Sequence, residues 1–289
     1  MENWPNFFIV GAIRSGTTSL YEYLKDVPSV YMSTIKEPGY FSKSVDTALL
    51  LTNPIRSKEK YLKLFENVQN ETAIGEASPT YLWDPQAPKL IHQQVPDARI
   101  IMILRDPVDR AFSHYLMLVG NGSIDSSFED VIAHSLELPH DDFNGRIISA
   151  GFYSEQVSRY LNLFPRENIK IFIFEEFIQD TKKSVQEVLD FLKINGTPTD
   201  SIKTIHNQFT IPRGNFSSSI LKNKFIKNFG KRFVPLSIGE STVKNVLGKK
   251  GAKPTISEKT RKLLEEVYRK DISKLESILG HSLLWCANK

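Results

Sequence analysis

Short apolar runs alternate along the chain with segments that have helical features. Four runs have the length and composition of buried strands, at residues 6–10, 72–75, 99–104 and 169–174. Six segments are predicted helices from their apolar spacing or their start and stop residues, at residues 17–25, 86–94, 106–119, 152–164, 181–192 and 256–279. This alternation predicts an α/β fold, in which helices flank both faces of a central, mostly parallel sheet. Such sheets bind their ligands beyond the carboxyl ends of the strands.

The length and composition favour one domain. The chain has 289 residues, of which 40% are hydrophobic, and no Pro-, Gly- or Ser-rich linker separates two periodic halves. We therefore expect a single domain over residues 1–289. Within it, residues 213–254 contain ten basic residues and one acid, Glu240, although the net charge of the whole chain is only +4. This segment is interpreted as a basic insertion or cap that attracts anionic ligands, or as a solvated basic surface.

Cysteine usage and the first residues bear on the cellular compartment. The single cysteine, Cys286, excludes an intramolecular disulfide, which is typical of a reducing compartment. The apolar residues 7–10 are soon followed by Arg14, so this run is too short for a membrane span. It also lacks the basic region and the cleavage site of a signal peptide. We expect a cytoplasmic protein without an integral membrane segment.

A glycine-containing loop joins the first predicted strand to the first predicted helix. Residues 11–18 are G-A-I-R-S-G-T-T, and the Gly-x-x-x-x-Gly spacing matches loops whose backbone N–H groups cradle phosphate at the positive end of a helix. A nucleoside triphosphatase would have lysine where Thr17 stands, whereas the cation here is Arg14, inside the loop. A sulfuryl group carries less negative charge than a phosphoryl group. Backbone N–H groups, hydroxyls and one cation can therefore be sufficient for its transfer.

A second candidate anion site follows the predicted strand at residues 99–104. Nucleoside triphosphatases end the corresponding strand with an acid that holds magnesium, whereas this strand is followed by Arg105. The guanidinium fork suits a phosphate monoester, which it can grip through two hydrogen bonds. Ser113 lies two turns along the next helix, where its hydroxyl could reach the same phosphate. The alternative is a structural ion pair of Arg105 with Asp106 or Asp109.

At these two motifs the chain resembles the sulfotransferases that use 3′-phosphoadenosine 5′-phosphosulfate (PAPS). G-A-I-R-S-G-T-T-S-L resembles the 5′-phosphosulfate loop of that family, and I-L-R-D-P-V-D-R-A-F-S-H-Y resembles its 3′-phosphate-binding strand and helix. Further matches are K-E-P-G-Y-F, E-A-S-P-T-Y and G-F-Y-S-E-Q-V-S-R-Y-L-N-L-F-P. They place the chain nearest the branch of heparan sulfate N- and O-sulfotransferases and their bacterial relatives. The resemblance implies a P-loop-like three-layer fold and sulfotransferase activity.

Carried over by position, the resemblance implies which residues bind PAPS. The 5′-phosphosulfate would be held by Arg14, Ser15, Gly16, Thr17, Thr18 and Ser19. The 3′-phosphate would be held by Arg105 and Ser113, and Tyr153 and Arg213 are lesser candidates for nucleotide contacts. Arg14 would also act in catalysis, because it and the loop N–H groups can stabilise the charge that gathers on the departing phosphate oxygen.

A hydroxyl acceptor needs a base, because it is a poor nucleophile until its proton is removed. Glu37, in K-E-P-G-Y-F, matches the glutamate that serves as the base in the glycan branch of the family. His114 and Glu76 are weaker candidates for the same task. The alternative for Glu37 is a surface ion pair with Lys36 or another nearby cation.

The expected reaction is in-line transfer of a sulfuryl group from PAPS to a hydroxyl or amine of a small-molecule or glycan acceptor. No metal site and no nucleic-acid partner are expected, and the sequence leaves the acceptor and the oligomeric state open. One alternative is a P-loop nucleoside or sugar kinase with an altered loop, against which the missing lysine and the missing strand-end acid argue. Another is a non-catalytic nucleic-acid-binding module that uses the basic segment, which would leave both phosphate motifs without a purpose.

Overall fold

A five-stranded parallel sheet lies at the centre of a computed structural model, which describes residues 2–43, 54–120, 122–138, 145–199 and 255–285. The strands are β1 (Phe7–Gly11), β2 (Val30–Met32), β3 (Ala73–Ala77), β4 (Arg99–Leu104) and β5 (Ile169–Ile173). They pair in parallel in the order β2-β3-β1-β4-β5. Arg213, the basic segment 213–254 and Cys286 lie outside the described residues.

Helices connect the strands and cover both faces of the sheet. They are α1 (Thr17–Lys25), α2 (Lys58–Leu62), α3 (Thr80–Trp83), α4 (Ala87–Gln94), α5 (Pro107–Gly120), α6 (Phe128–Glu137), α7 (Arg146–Ser149), α8 (Tyr153–Leu161), α9 (Phe174–Gln179), α10 (Thr181–Phe191) and α11 (Glu258–Leu279). Within the described ranges, no helix combines the length and the hydropathy that crossing a bilayer requires. The α/β class and the flanked parallel sheet predicted from the sequence are confirmed.

Alternate residues of the central strands enter two different hydrophobic cores. Phe8 and Val10 of β1 pack in the core that also contains buried residues of α4, α5, α8 and α11. Phe7 and Ile9 pack in the second core, against residues of α1 and α10. Because successive side chains of a strand point to opposite faces, both sets must be apolar when helices cover both faces. The continuous apolar runs of β1 and β4 follow from this three-layer packing.

The strand order places a crevice beside β1. From β1 the chain forms β2 and β3 on one side of β1, and then β4 and β5 on the other. Ligands of open α/β sheets bind at such a reversal, outside the carboxyl ends of the strands. The backbone N–H of Ala12 donates to the carbonyl of Ile103 at 2.8 Å, so the segment after β1 lies directly against the end of β4. The fold therefore brings the two candidate anion-binding segments side by side.

A fully buried carboxyl group ties β3 to α2 and α3. Glu76 accepts hydrogen bonds from the hydroxyls of Tyr61 (2.7 Å), Ser78 (2.7 Å) and Tyr81 (2.9 Å), and it has no solvent exposure. Burial raises the pKa of Glu76 to about 7, although the three hydrogen bonds act in the opposite direction. The folded protein therefore retains a proton on Glu76 at pH values where the unfolded chain has released it.

The raised pKa of Glu76 predicts a pH-dependent stability. Since the folded pKa of about 7 exceeds the unfolded value, the folded state binds more protons over the interval between them, and the free energy of unfolding falls as the pH rises through that interval. Urea unfolding of the wild type and of Glu76→Gln at pH 5 and pH 8 measures this effect. The wild type should lose on the order of 2–3 kcal/mol more than the variant between these pH values. Equal losses in both proteins would contradict the raised pKa.

Candidate active site

The loop between β1 and α1 depends on glycine at its last position. Gly16 precedes α1 with a φ of 85°, in the left-handed region that favours glycine. A Cβ at this position would also meet the ring of Phe174 at 3.0 Å. The first N–H groups of a helix have no partner within the helix, and here they follow the loop directly. The loop thus presents backbone donors at the positive end of α1, as an anion site requires.

The hydroxyl residues of the loop differ in exposure. Ser15 is fully buried, and its Oγ has no hydrogen-bond partner among the described residues. Thr17 is also buried, whereas Thr18 and Ser19 are half-buried. The Ser19 side chain is hydrogen-bonded to the Tyr23 side chain one turn later. A buried hydroxyl without a partner is unusual in folded proteins, so Ser15 marks the loop as a place where a ligand group can supply the missing bond.

Side chains from the two candidate anion sites meet at Ser113. Nε of Arg14 donates to Oγ of Ser113 at 3.2 Å, and Nη1 of Arg105 donates to the backbone carbonyl of Arg14 at 3.1 Å. Arg14 belongs to the loop after β1, Arg105 follows β4, and Ser113 lies on α5. The structure thus joins three residues that the sequence assigned to the two ends of one ligand. Arg14, which was predicted at the 5′ end, bridges to the residue predicted at the 3′ end.

Arg105 is held by an aromatic ring and not by an acid. Its guanidinium carbon lies 4.8 Å from the centroid of the Phe174 ring, the same ring that packs close to Gly16. Asp109 instead pairs with Arg261 at 2.6 Å. The Asp106 carboxylate accepts from the backbone N–H groups of Val108 and Asp109, which caps α5. The structural ion pair that was the alternative for Arg105 is therefore absent from the part of the chain that the structure describes.

The two arginines form a half-buried positive site. The pKa of Arg14 is lowered, first by burial and then by the charge of Arg105, while the Glu37 carboxylate acts to raise it. Nε of Arg105 has no hydrogen-bond partner among the described residues. Two like charges that are partly removed from water repel each other strongly, and a bound anion offsets this repulsion. The site therefore fits a ligand that carries negative charge.

Glu37 lies on a loop beside this positive site. Its backbone N–H donates to the carbonyl of Ala77 at 2.9 Å, which anchors the loop at the end of β3. Its φ is 60°, and the left-handed region costs a residue with a side chain about 1–2 kcal/mol. The Glu37 side chain is 33% exposed and forms an ion pair with Lys36. The carboxylate can thus be reached from solvent while it remains close to Arg14.

The two rival bases are less accessible than Glu37. His114 is buried, and burial together with the charges of Arg110, Arg14 and Arg146 holds its pKa well below the usual range. Such an imidazole stays neutral but is a weak base. Glu76 has no solvent exposure and already accepts three hydrogen bonds. The burial of His114 and Glu76 therefore favours Glu37 as the residue that contacts an incoming acceptor.

Tyr153 is held inside the protein. It has no solvent exposure, its ring centroid lies 5.9 Å from that of Trp285, and its backbone N–H donates to Oδ2 of Asp271 at 2.7 Å. The nucleotide contact expected of Tyr153 stays a prediction. In the described part of the chain, no group of three or more His, Cys, Asp or Glu side chains is placed to hold a metal ion.

Two features of the site escaped the sequence analysis. Phe174 was predicted only as the last residue of a buried strand, although its ring also contacts the guanidinium of Arg105; its position at the end of this strand was the available signal. Ser78 and Tyr81 were recognised only as part of a motif, whereas both donate to Glu76 and accept from the loop that carries Glu37. No local sequence pattern indicates these hydrogen bonds of Ser78 and Tyr81, because the residues that form them come from separate segments of the chain.

Comparison with known proteins agrees with this geometry. The family model described as "Sulfotransferase domain" matches residues 5–276. Carbohydrate sulfotransferase 15 of Mus musculus is 26% identical over 245 residues, which are 66% of this chain and 44% of that protein. The human bifunctional heparan sulfate N-deacetylase/N-sulfotransferase 3 is 27% identical, over 96% of this chain and 30% of that protein. The chain thus spans less than half the length of these curated relatives.

A solved structure extends the similarity to the fold. The sulfotransferase from Alicyclobacillus acidocaldarius matches with a TM-score of 0.74 and 28% sequence identity, over 97% of this chain and 98% of that one. The family match, the curated relatives and this structure all agree with the motifs at the ends of β1 and β4. The chain belongs to the sulfotransferase family.

Proposed function

We propose that this sulfotransferase moves a sulfuryl group from PAPS to a hydroxyl or amine of a carbohydrate, with Glu37 as the base. The observation that carries the proposal is the contact of Arg14 with both Ser113 and Arg105, in the electrostatic field of the Glu37 carboxylate. The printed names of relatives support a sugar acceptor, since they include a carbohydrate sulfotransferase and enzymes of heparan sulfate. Membership of the sulfotransferase family argues against the two alternatives drawn from the sequence, a P-loop kinase and a non-catalytic nucleic-acid-binding module.

The donor would be held at both of its charged ends. Loop residues 14–19 and the first N–H groups of α1 would bind the 5′-phosphosulfate, and Arg105 and Ser113 would bind the 3′-phosphate. Because Arg14 contacts Ser113, its guanidinium lies between the two ends. PAPS supplies the sulfuryl group, and the protein supplies the charges and donors that orient it.

The transfer would follow from these positions. As the acceptor oxygen or nitrogen forms its bond to sulfur, the bond between sulfur and the bridging phosphate oxygen breaks. The proton of the acceptor passes to the Glu37 carboxylate, and the electron pair of the broken bond stays on the phosphate oxygen. Arg14 and the loop N–H groups stabilise that negative charge, which is greatest in the transition state.

Several expectations from the sequence stay predictions. They are the single domain over residues 1–289, the cap over residues 213–254, the nucleotide contacts of Tyr153 and Arg213, the lack of a metal or nucleic-acid partner, and the cytoplasmic location.

The 3′-phosphate contact can be tested with Arg105→Ala. Calorimetry should show that the variant binds adenosine 3′,5′-bisphosphate about 10–100-fold more weakly than the wild type, because a charge-assisted pair is lost. Binding of adenosine 5′-monophosphate, which lacks the 3′-phosphate, should change by less than about threefold. Arg261→Ala is the matched control, since it removes a cation that pairs with Asp109 and lies outside the proposed contact. An equal loss for both nucleotides would refute the 3′-phosphate assignment.

The base can be tested with Glu37→Gln, which keeps the shape of the side chain but cannot take a proton. Transfer of label from ³⁵S-PAPS to N-desulfated heparin or chondroitin should fall about 10²–10⁴-fold, as is typical when a general base is removed. Affinity for adenosine 3′,5′-bisphosphate should stay within about twofold, since the donor contacts remain. Glu155→Gln, at a solvent-exposed acid, is the control.

These measurements separate the parts of the proposal. Full activity of Glu37→Gln would exclude Glu37 as the base. A wild-type protein that binds adenosine 3′,5′-bisphosphate but labels neither glycan would uphold the donor site and reject these sugars as acceptors.

A further inference from the structure

The loop that carries Glu37 is fixed through two of its backbone N–H groups. The N–H of Gly39 donates to Oγ of Ser78 at 3.1 Å, and the N–H of Phe41 donates to the hydroxyl of Tyr81 at 3.3 Å. Gly39 and Phe41 are both buried. Their N–H groups therefore need these partners, because a buried donor without an acceptor is costly. Together with the carbonyl of Ala77, which accepts from the N–H of Glu37, the two hydroxyls link the loop to the end of β3 and the residues that follow it.

Both hydroxyls donate a hydrogen bond to the same carboxyl group. Ser78 donates to Oε2 of Glu76 at 2.7 Å, and Tyr81 donates to Oε1 at 2.9 Å. A hydroxyl has a single hydrogen, so one that donates to a carboxylate offers only lone pairs to any other group. An ionised carboxylate accepts and never donates. It thus forces both hydroxyls into the orientation in which they accept from Gly39 and Phe41.

We propose that Glu76 is a positioning residue, whose carboxylate fixes the loop that carries Glu37 through the hydroxyls of Ser78 and Tyr81. The proposal rests on the proposed function only in giving Glu37 the task of base. Glu76 itself does not touch substrate, since it has no solvent exposure. Its effect on the reaction passes through the two hydroxyls and the loop backbone.

The loop backbone requires such support. Glu37 has a φ of 60° and Gly39 a φ of 62°, so the candidate base and the glycine two residues later are both in the left-handed region. A non-glycine residue keeps this conformation only when its surroundings enforce it. Three consecutive residues of the chain provide that enforcement: Glu76 orients Ser78 and Tyr81, the carbonyl of Ala77 accepts from the N–H of Glu37, and Oγ of Ser78 accepts from Gly39.

Tyr61 provides a matched control within the same network. Its hydroxyl donates to Oε1 of Glu76 at 2.7 Å, as that of Tyr81 does at 2.9 Å. Both tyrosines are fully buried. Only Tyr81 also accepts from the loop, at the N–H of Phe41. Removing either hydroxyl therefore takes one hydrogen bond from the same carboxylate, but only one of the two changes releases the loop.

The test is amide hydrogen exchange, measured residue by residue by NMR at pH 8 on the full chain. Tyr81→Phe should raise the exchange rate of the Phe41 amide about tenfold and leave that of Gly39 within about threefold. Ser78→Ala should give the reverse pattern. Tyr61→Phe should leave both amides within about threefold of the wild type. Glu76→Gln should speed exchange at one of the two amides at least, because the NH₂ of glutamine donates in place of one carboxylate oxygen and turns the hydroxyl that faced it.

Activity provides the second readout. With ³⁵S-PAPS and the glycan that the wild type labels, Tyr81→Phe and Ser78→Ala should lower kcat about tenfold while the KM for PAPS and the affinity for adenosine 3′,5′-bisphosphate stay within about twofold. Tyr61→Phe should lower kcat by less than about threefold. Ser78→Ala and Tyr81→Phe retain the Glu76 carboxyl group, so the test does not depend on the folding of Glu76→Gln.

The outcomes separate this proposal from the proposed function. Equal effects of Tyr61→Phe and Tyr81→Phe, on exchange or on kcat, would show that the network only stabilises the fold and would overturn the positioning of the loop. Unchanged exchange at Gly39 and Phe41 in Glu76→Gln would overturn it as well. Full activity of Glu37→Gln together with the expected exchange pattern would uphold the positioning of the loop and reject Glu37 as the base.

Discussion

The proximity of two arginines at the ends of neighbouring strands is the constraint on which the rest of the site depends. β1 and β4 are adjacent and parallel, so their carboxyl ends meet at one edge of the sheet. Arg14 and Arg105 follow these ends, and Arg105 donates to the backbone of Arg14. Two half-buried cations in contact repel each other, and a bound anion offsets that repulsion. The site is therefore preorganised for a ligand that brings negative charge with it.

Several contacts far apart in sequence keep this arrangement in place. The ring of Phe174 lies between Gly16 and the guanidinium of Arg105, which limits where that side chain can go. The Glu175 carboxylate accepts from the backbone N–H of Asp106 (3.1 Å) and from Nε1 of Trp285 (3.1 Å). Trp285, at the end of the described chain, thus holds the carboxylate that binds the backbone just after β4. Rigid support of this kind reduces the reorganisation needed when charge develops during the reaction.

The sequence predicted the loop after β1 and the segment after β4, which the structure brings together, but not the network under Glu37. The bounds predicted for β4 and α1 agree with the structure, because β4 is a continuous apolar run and α1 has a glycine before it and a proline after it. β2 was missed because its three residues, Val30–Met32, are too few to show the hydrophobic pattern of a strand. α6 was missed although Ser127 caps it by accepting from the N–H of Asp130, so its signal was present in the sequence.

The position of Glu76 shows why the remainder could not be predicted. Its environment is made by Tyr61, on a helix before β3, and by Tyr81, on a helix after it. Only the packing of these helices turns an ordinary glutamate into a buried carboxyl with a pKa of about 7. Glu37 and Glu76 have the same side chain, and the sequence alone could not separate the accessible one from the buried one.

Arginine at position 14 has a consequence that lysine would not have. A lysine ammonium is one compact charge, whereas the guanidinium has a separate Nε and two Nη groups. In this structure Nε donates to Ser113, which leaves the Nη groups for other acceptors. In the proposed function, one side chain could therefore be oriented by Ser113 and at the same time stabilise charge on the departing oxygen. The residue proposed to bind the 3′-phosphate and the residue proposed to stabilise the leaving group are therefore in direct contact, so a change at Ser113 would also alter the orientation of Arg14.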